Sequence, residues 1–410
     1  MKILVFTALY PNNVWPNHGI FIKERVAAVA NSKKCAIRVV APVPYYPPIK
    51  LGWRSGYGQV VKNEIVEGIQ IYHPRYFMIP KAGMLLQGWL MFLSVLPAVK
   101  RIQKQFDFDL IDAHYVYPDG LAAVLLGRIL AKPVVVSARG SDINLFARLP
   151  IIRRILCYTL THASHLITVS HALQNAITEL GISAEKISVI PNGVDTGKFR
   201  RVDKQFARRS LGLPADCPVL LSVGGLTAVK GFDLLLRAFK IIHEQARGNK
   251  PRLVIVGEGA LRGKLTELIS ELALGSHVSL VGAVPHEQLY AWYNAADVFC
   301  LASEREGWPN VILEALACGI PVVATPVGGV PEILVNEEIG FLTERKPAEM
   351  AARMREAMEK NWDSDGIARY AASLTWIAAA TKICAVFDSV LQHPAAQGRG
   401  CASVRAQRPI

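Results

Sequence analysis

Cysteine pairs of the Cys-x-x-Cys kind are missing: the seven cysteines stand apart at positions 35, 157, 217, 300, 318, 384 and 401. That argues against a zinc ribbon or a disulfide framework and predicts a reducing, cytoplasmic setting. A secretory leader is not expected either, because Met1 to Phe6 is too short for one and runs straight into a strand pattern. No apolar run reaches the roughly 20 residues that a bilayer crossing needs. The longest, Met84 to Val99, is broken by Gln87, Gly88 and Pro97 and followed by Lys100, Arg101 and Lys104. It reads either as a buried helix or as a helix partly inserted at a membrane face, with Trp89 and Phe92 in the interface.

Acidic residues are scarce in the first half. Residues 1–200 carry 23 Lys/Arg against 11 Asp/Glu, and residues 201–410 carry 23 against 22, so the net +13 belongs almost wholly to the first half. Such a half is expected to meet something acidic. No nucleic-acid-binding motif and no basic run interleaved with aromatics occurs, so nucleic acid is not the expected partner. An anionic membrane surface or a pyrophosphate-bearing lipid accounts for the skew more simply.

What is present is a globular α/β chain, 51% hydrophobic, in which β-branched apolar runs alternate with helical patterns. Strands are predicted at 3–6, 37–41, 110–113, 134–137, 166–169 and 187–190, then at 219–223, 252–256, 278–281, 298–301 and 321–324. Two series with a polar, turn-rich join from Asn192 to Pro214 predict two doubly wound domains, 1–200 and 201–373. A helix over about 374–391 and an unstructured tail over 394–410 complete the expectation.

The chemistry concentrates between Ser303 and Pro331. Glu306, Gly307, Trp308, Pro309 and Asn310 form a turn before a short helix, and a buried strand and a second glycine-rich turn follow. Proline is tolerated at a helix start, where the first amides have no intrahelical partner. The amides of Asn310, Val311 and Ile312 are therefore expected to face an anion or a sugar hydroxyl. Glu306 and Glu314, with seven residues between them, can line one cleft at two depths. In the loop after the 219–223 strand, Gly224 and Gly225 permit close approach of a pyrophosphate, and Lys230 supplies charge.

First-half loops add further candidates at the carboxyl ends of strands, where open α/β sheets bind ligands. Gly19 can let the backbone approach a phosphate or acceptor. His114 stands where it could move a proton. Arg139 and Asp142 are placed on the acceptor and phosphate side. Arg139 cannot act as a base; it binds phosphate or an acidic acceptor, or else pairs with Asp142 to hold its own loop. Asp107-Phe108-Asp109 has a metal-binding form but precedes a strand, at the wrong end of the sheet.

The Glu306-x7-Glu314 stretch closely resembles the corresponding element of family 4 glycosyltransferases, retaining enzymes of GT-B fold, and matching motifs run from residue 1 to about 390. The resemblance implies two Rossmann-like domains facing a central cleft, with a C-terminal helix crossing back to the first. It implies transfer of a sugar from a nucleotide-diphosphate donor to an acceptor hydroxyl, without metal or cofactor. It places Glu306 at the donor sugar, Glu314 on the ribose, His114 near sugar and acceptor, and the backbone of Gly282 to Val284 at the base. The family usually has arginine where Gly225 stands and histidine where Arg139 stands, so the diphosphate clamp is expected to differ. A glycan or lipid-linked acceptor and a location on the inner face of the cell membrane are expected. A nucleotide-sugar epimerase of the same fold and a non-catalytic nucleotide-sugar binder are the rival readings.

Overall fold

The computed structural model describes residues 1–32, 34–45, 52–78 and 83–393; the expected tail from residue 394 lies outside them. An eight-stranded sheet organises the first half, in the order Ile187–Val189, His165–Thr168, Val134–Ala138, Leu110–His114, Lys2–Phe6, Ala36–Val40, Ile69–Tyr72 and Asn63–Val66. All neighbours are parallel except the last pair, a hairpin. The strand Val134–Ala138 is buried at every position, as a parallel sheet covered on both faces requires. The hairpin was not expected from the sequence. Its strands have four residues each; Asn63–Val66 is the half-exposed edge, and Ile69–Tyr72 beside it fully buries only Ile69 and Ile71, so neither has the long apolar run that marks the inner strands. Its turn places Glu67 and Gly68 at φ 52° and 79°, the left-handed pair favoured in two-residue hairpins.

The second half forms a six-stranded parallel sheet in the order Val278–Gly282, Arg252–Val256, Val219–Val223, Val298–Leu301, Val322–Ala324 and Gly340–Leu342. Only the three-residue last strand escaped the sequence reading.

The expected crossing back is present. The helix Trp376–Gln392 lies on Ile20–Asn31, and Trp376, Ala380, Ile383 and Phe387 share a core with Ile22, Val26 and Val29. Thr375 starts the helix by accepting the Ala378 amide at 3.2 Å. Beside it the Val194 amide donates to the Leu374 carbonyl at 2.9 Å. Gly193 passes so near that a Cβ there would stand 2.1 Å from the Trp376 nitrogen.

The apolar helix spans Gln87–Gln105 and buries Met91, Phe92, Val95, Val99 and Ile102. Phe92, which the membrane-face reading of this stretch would set in the interface, is thus part of the core as the buried-helix reading expects, because it shares the helix face of Val95 and Val99. Trp89 and Leu93 are 45% and 61% exposed, on the side that carries Lys100, Arg101 and Lys104. Among the described residues no helix is long and apolar enough to cross a membrane.

Candidate active site

Each sheet reverses its strand order once, between Lys2–Phe6 and Leu110–His114 in the first and between Val219–Val223 and Val298–Leu301 in the second. Loops diverge at such points and leave a crevice. Here the loops of the two domains meet. A Cβ on Gly307 would lie 2.1 Å from the Arg139 carbonyl oxygen, and one on Gly140 would lie 2.8 Å from the Gly307 Cα. Only two glycines allow this approach.

Glu306 sits in the loop leaving Val298–Leu301, its side chain 10% exposed. Its Oε1 accepts from Lys230 Nζ at 2.7 Å and from Ser303 Oγ at 2.6 Å. Lys230 ends a single 3₁₀ turn, Ala228–Lys230. Gly231 follows at φ 64°, where a Cβ would strike the Ala302 carbonyl at 2.2 Å. Glycine there presses the lysine turn against the loop that carries the glutamate. From the other side, a Cβ on Gly328 would come 1.9 Å from the Glu306 carbonyl, and the Gly329 amide donates to the Gly307 carbonyl at 3.1 Å.

Trp308 is buried, and its indole nitrogen has no partner among the described residues. Pro309 precedes the helix Asn310–Ala317. The Ile312 amide, expected to be free, donates to the Pro309 carbonyl at 3.1 Å, because the first turn tightens. Among the described residues the amides of Asn310 and Val311 have no backbone acceptor.

One turn further in, Glu314 is buried. Its Oε1 lies 3.0 Å from His286 Nε2, and its Oε2 accepts from the Tyr293 hydroxyl at 2.7 Å. Burial works against a charged His286, but the Glu314 carboxylate outweighs it and raises the imidazole above its ordinary value. Each carboxylate oxygen retains a free lone pair for a sugar hydroxyl. His286 follows the expected base-binding segment Gly282 to Val284 and is the residue of that loop that touches Glu314.

Gly224 donates its amide to the Val256 carbonyl at 2.9 Å. Gly225 has no steric reason to be glycine, since a Cβ there would meet nothing nearer than the Glu258 carbonyl at 3.8 Å.

The first-domain candidates behave differently. His114 is wholly buried. Its Nδ1 accepts from the Arg139 guanidinium at 2.6 Å, and its Nε2 faces Asp112 at 3.3 Å. Burial drives its pKa down to about 3 despite that aspartate. It is a neutral structural imidazole in this arrangement, not a free proton carrier. Arg139, expected to bind phosphate, spends its second terminal nitrogen on Asn192 Oδ1 at 2.9 Å, and Asn192 in turn donates to Asn310 Oδ1 at 3.0 Å. A polar relay therefore joins the first sheet to the helix start beside Glu306. Burial lowers the Arg139 pKa to about 9.

The Arg139–Asp142 ion pair does not form. Asp142, placed by the sequence on the acceptor side, turns inward and accepts the backbone amides of Arg139, Gly140 and Val116 at 2.8–3.1 Å, which leaves it no reach into the crevice. Gly19, at φ 69°, begins the helix Ile20–Asn31 where a Cβ would strike the Leu9 carbonyl at 2.4 Å; its need is steric.

Several working residues were missed. Ser303, His286 and Tyr293 hold the two glutamates. Glu332 reaches across the junction to accept the amides of His171 and Ala172, both at 2.9 Å. His286 carried a signal, since it follows a strand end. Ser303 and Tyr293 carried none. Among the described residues no three His, Cys, Asp or Glu side chains are grouped to hold an ion. Asp107 pairs with Lys132 at 2.9 Å, and Asp109 accepts the Lys2 amide at 2.8 Å, at the far end of the sheet.

Residues 203–373 match the family described as glycosyl transferases group 1, and residues 55–198 match glycosyltransferase family 4. A Bacillus subtilis protein named for teichuronic acid biosynthesis, the glycosyltransferase TuaC, is 32% identical over 345 residues, covering 81% of this chain and 83% of that one. Among solved structures, sucrose-phosphate synthase from Thermosynechococcus elongatus superposes with a TM-score of 0.77 at 20% identity, over 95% of this chain and 99% of that one. Anabaena HepE in complex with UDP-glucose gives 0.70 at 22% identity, over 95% and 100%.

Proposed function

The chain belongs to the family 4 glycosyltransferases, retaining enzymes of GT-B fold that use a nucleotide-sugar donor, and from that premise we propose how its residues divide the work and which substrates they take. The observation that carries the assignment is the Lys230–Glu306 pair at 2.7 Å, set at the crevice beside two unpaired amides.

The donor's diphosphate lies against Lys230 and the amides of Asn310 and Val311. As the bond from the anomeric carbon to the diphosphate breaks, charge builds on the departing oxygens, and these fixed positive groups stabilise it. Lys230 then shifts toward phosphate, and the Glu306 carboxylate opposes the positive charge on the sugar. Glu314 holds the ribose, kept in place by His286 and Tyr293. The backbone from Gly282 to Val284 meets the base. His114 acts through Arg139 and Asn192 by positioning the helix start. No metal is required, because the lysine and amides carry the diphosphate's charge. Activity undiminished in EDTA is expected, and loss restored by magnesium would refute that point.

UDP-hexoses are the first donors to test, since a protein of the same fold holds UDP-glucose. The acceptor is a lipid-linked glycan precursor at an anionic membrane face, in line with a relative named for a wall polysaccharide. The exposed apolar face supports this: Tyr45, Phe77, Met84, Leu85, Leu86, Trp89 and Leu93 are all exposed. Tyr45 pairs with Phe77 across two short strands and the Phe77 amide donates to Ser94 beside Leu93, and exposed apolar residues gathered in this way mark a contact surface. The test is a panel of nucleotide sugars with and without acceptor lipid in vesicles. Acceptor-dependent release of nucleoside diphosphate is expected; a donor isomerised without acceptor, or bound unchanged, overturns the assignment.

A further inference from the structure

Three arginines on the first domain have no role in the chemistry above. Arg148, Arg153 and Arg154, with Ala147, Pro150 and Cys157, line an open groove of about 500 Å³. All three are exposed, and none makes an ion pair among the described residues. The surrounding sequence offers them no counter-charge: from Ile143 to Thr178 there is no Asp or Glu. The helix Pro150–His162 begins in the groove with no capping side chain and no acid in its first turn. The positive end of that helix thus faces three cations, an arrangement that costs stability unless an anion occupies it.

The rim of the groove is apolar. Leu145, Leu149 and Ile151 are 43%, 42% and 56% exposed. The groove also adjoins the exposed face described above. The Tyr117 hydroxyl donates to the Met84 carbonyl, and the Tyr117 ring meets Phe146 edge-on at 6.2 Å. From the groove the chain leads back to the crevice through residues 139–148, since Gly140 touches Gly307.

We propose that this groove binds the phosphate or diphosphate headgroup of the acceptor lipid, with the lipid chain leaving over Leu149 and Ile151 toward the Met84–Leu93 face. Arginine suits the task because its planar fork matches two phosphate oxygens at once. The assignment rests on the acceptor reading above and adds the place where the headgroup is held. A membrane-bound source is favoured over a free phosphate ester, because a soluble ligand has no use for the exposed leucine and isoleucine rim.

The test compares wild type with the triple variant Arg148→Gln, Arg153→Gln, Arg154→Gln in co-sedimentation. The vesicles are phosphatidylcholine alone or phosphatidylcholine carrying a polyprenyl phosphate. Wild type is expected to prefer the phosphate-bearing vesicles, and the triple variant to lose about a hundredfold in partition, about fivefold for each cation removed. Donor binding measured by calorimetry reports that the variant remains folded. Equal partition of both proteins overturns the groove assignment while leaving the membrane reading intact. No partition of either protein overturns both. Tight calorimetric binding of inorganic pyrophosphate to the groove without lipid, lost in the triple variant, overturns the lipid source.

Discussion

Replacing Glu306 by glutamine separates charge from shape at the centre of the site. The glutamine oxygen can accept from Lys230 and Ser303, as Glu306 Oε1 does at 2.7 and 2.6 Å, so the loop should hold its form. Only the negative charge disappears. A unit charge about 4 Å from a developing positive charge, at an effective dielectric near 20, contributes about 4 kcal/mol. Lys230 neutralises part of this in the ground state, so about 3 kcal/mol is the lower end. At 1.36 kcal/mol per factor of ten, kcat should fall roughly a hundred- to a thousandfold. The donor KM should stay within about threefold, because the lost interaction strengthens mainly in the transition state. The assay is acceptor-dependent release of nucleoside diphosphate at saturating donor, with thermal melting as a check on folding. A kcat within about threefold of wild type, or a loss confined to KM, would refute the role given to Glu306.

Lys230→Ala should weaken donor binding about 10- to 100-fold, the worth of a charge-assisted hydrogen bond to phosphate; calorimetry with the donor checks it, and unchanged affinity removes the lysine from the diphosphate. Gly225→Arg should tighten donor binding by about tenfold without lowering the melting temperature, since the space beyond Gly225 is open; weaker binding would show that the clamp is completed from elsewhere. The burial of His114 sets a pH dependence. Its folded pKa is about 3 against an ordinary 6.5, so its contribution is fully present above 6.5 and is lost as pH falls from there toward 3. Between pH 6.5 and 5 this amounts to about 2 kcal/mol. Urea melts at pH 7 and 5 should show that slope in wild type and not in His114→Asn; equal slopes would mean the imidazole is not held neutral.

Which residues stand at strand ends was legible because a parallel strand buried on both faces must be a β-branched run, and such runs end in glycine or polar loops. Lys230 and Glu306 lie in such loops, whereas Glu314 was singled out by its spacing from Glu306; in the structure Glu306 bonds Lys230 and Ser303, and Glu314 bonds His286 and Tyr293. The sequence could not say what each side chain bonds to. Arg139 looked like a free cation, yet it is committed to His114 and Asn192. Asp142 looked like a ligand, yet three backbone amides consume it. The hairpin at Asn63–Val66 and Ile69–Tyr72 left no apolar signature because its edge strand buries no residue fully and its inner strand only alternate ones.

By itself, then, the order of residues determined the inner strands of the two sheets and a helix near 374–391, since local periodicity and turn chemistry act over a few neighbours; that this helix crosses back to the first domain followed from the family resemblance. Only the tertiary structure decided that Gly140 meets Gly307, that His286 and Tyr293 grip Glu314, and that Arg139 reaches Asn310 through Asn192. Those contacts join residues far apart in the chain, and hydrogen-bond geometry between them exists only once both sheets have folded and their loops face one another.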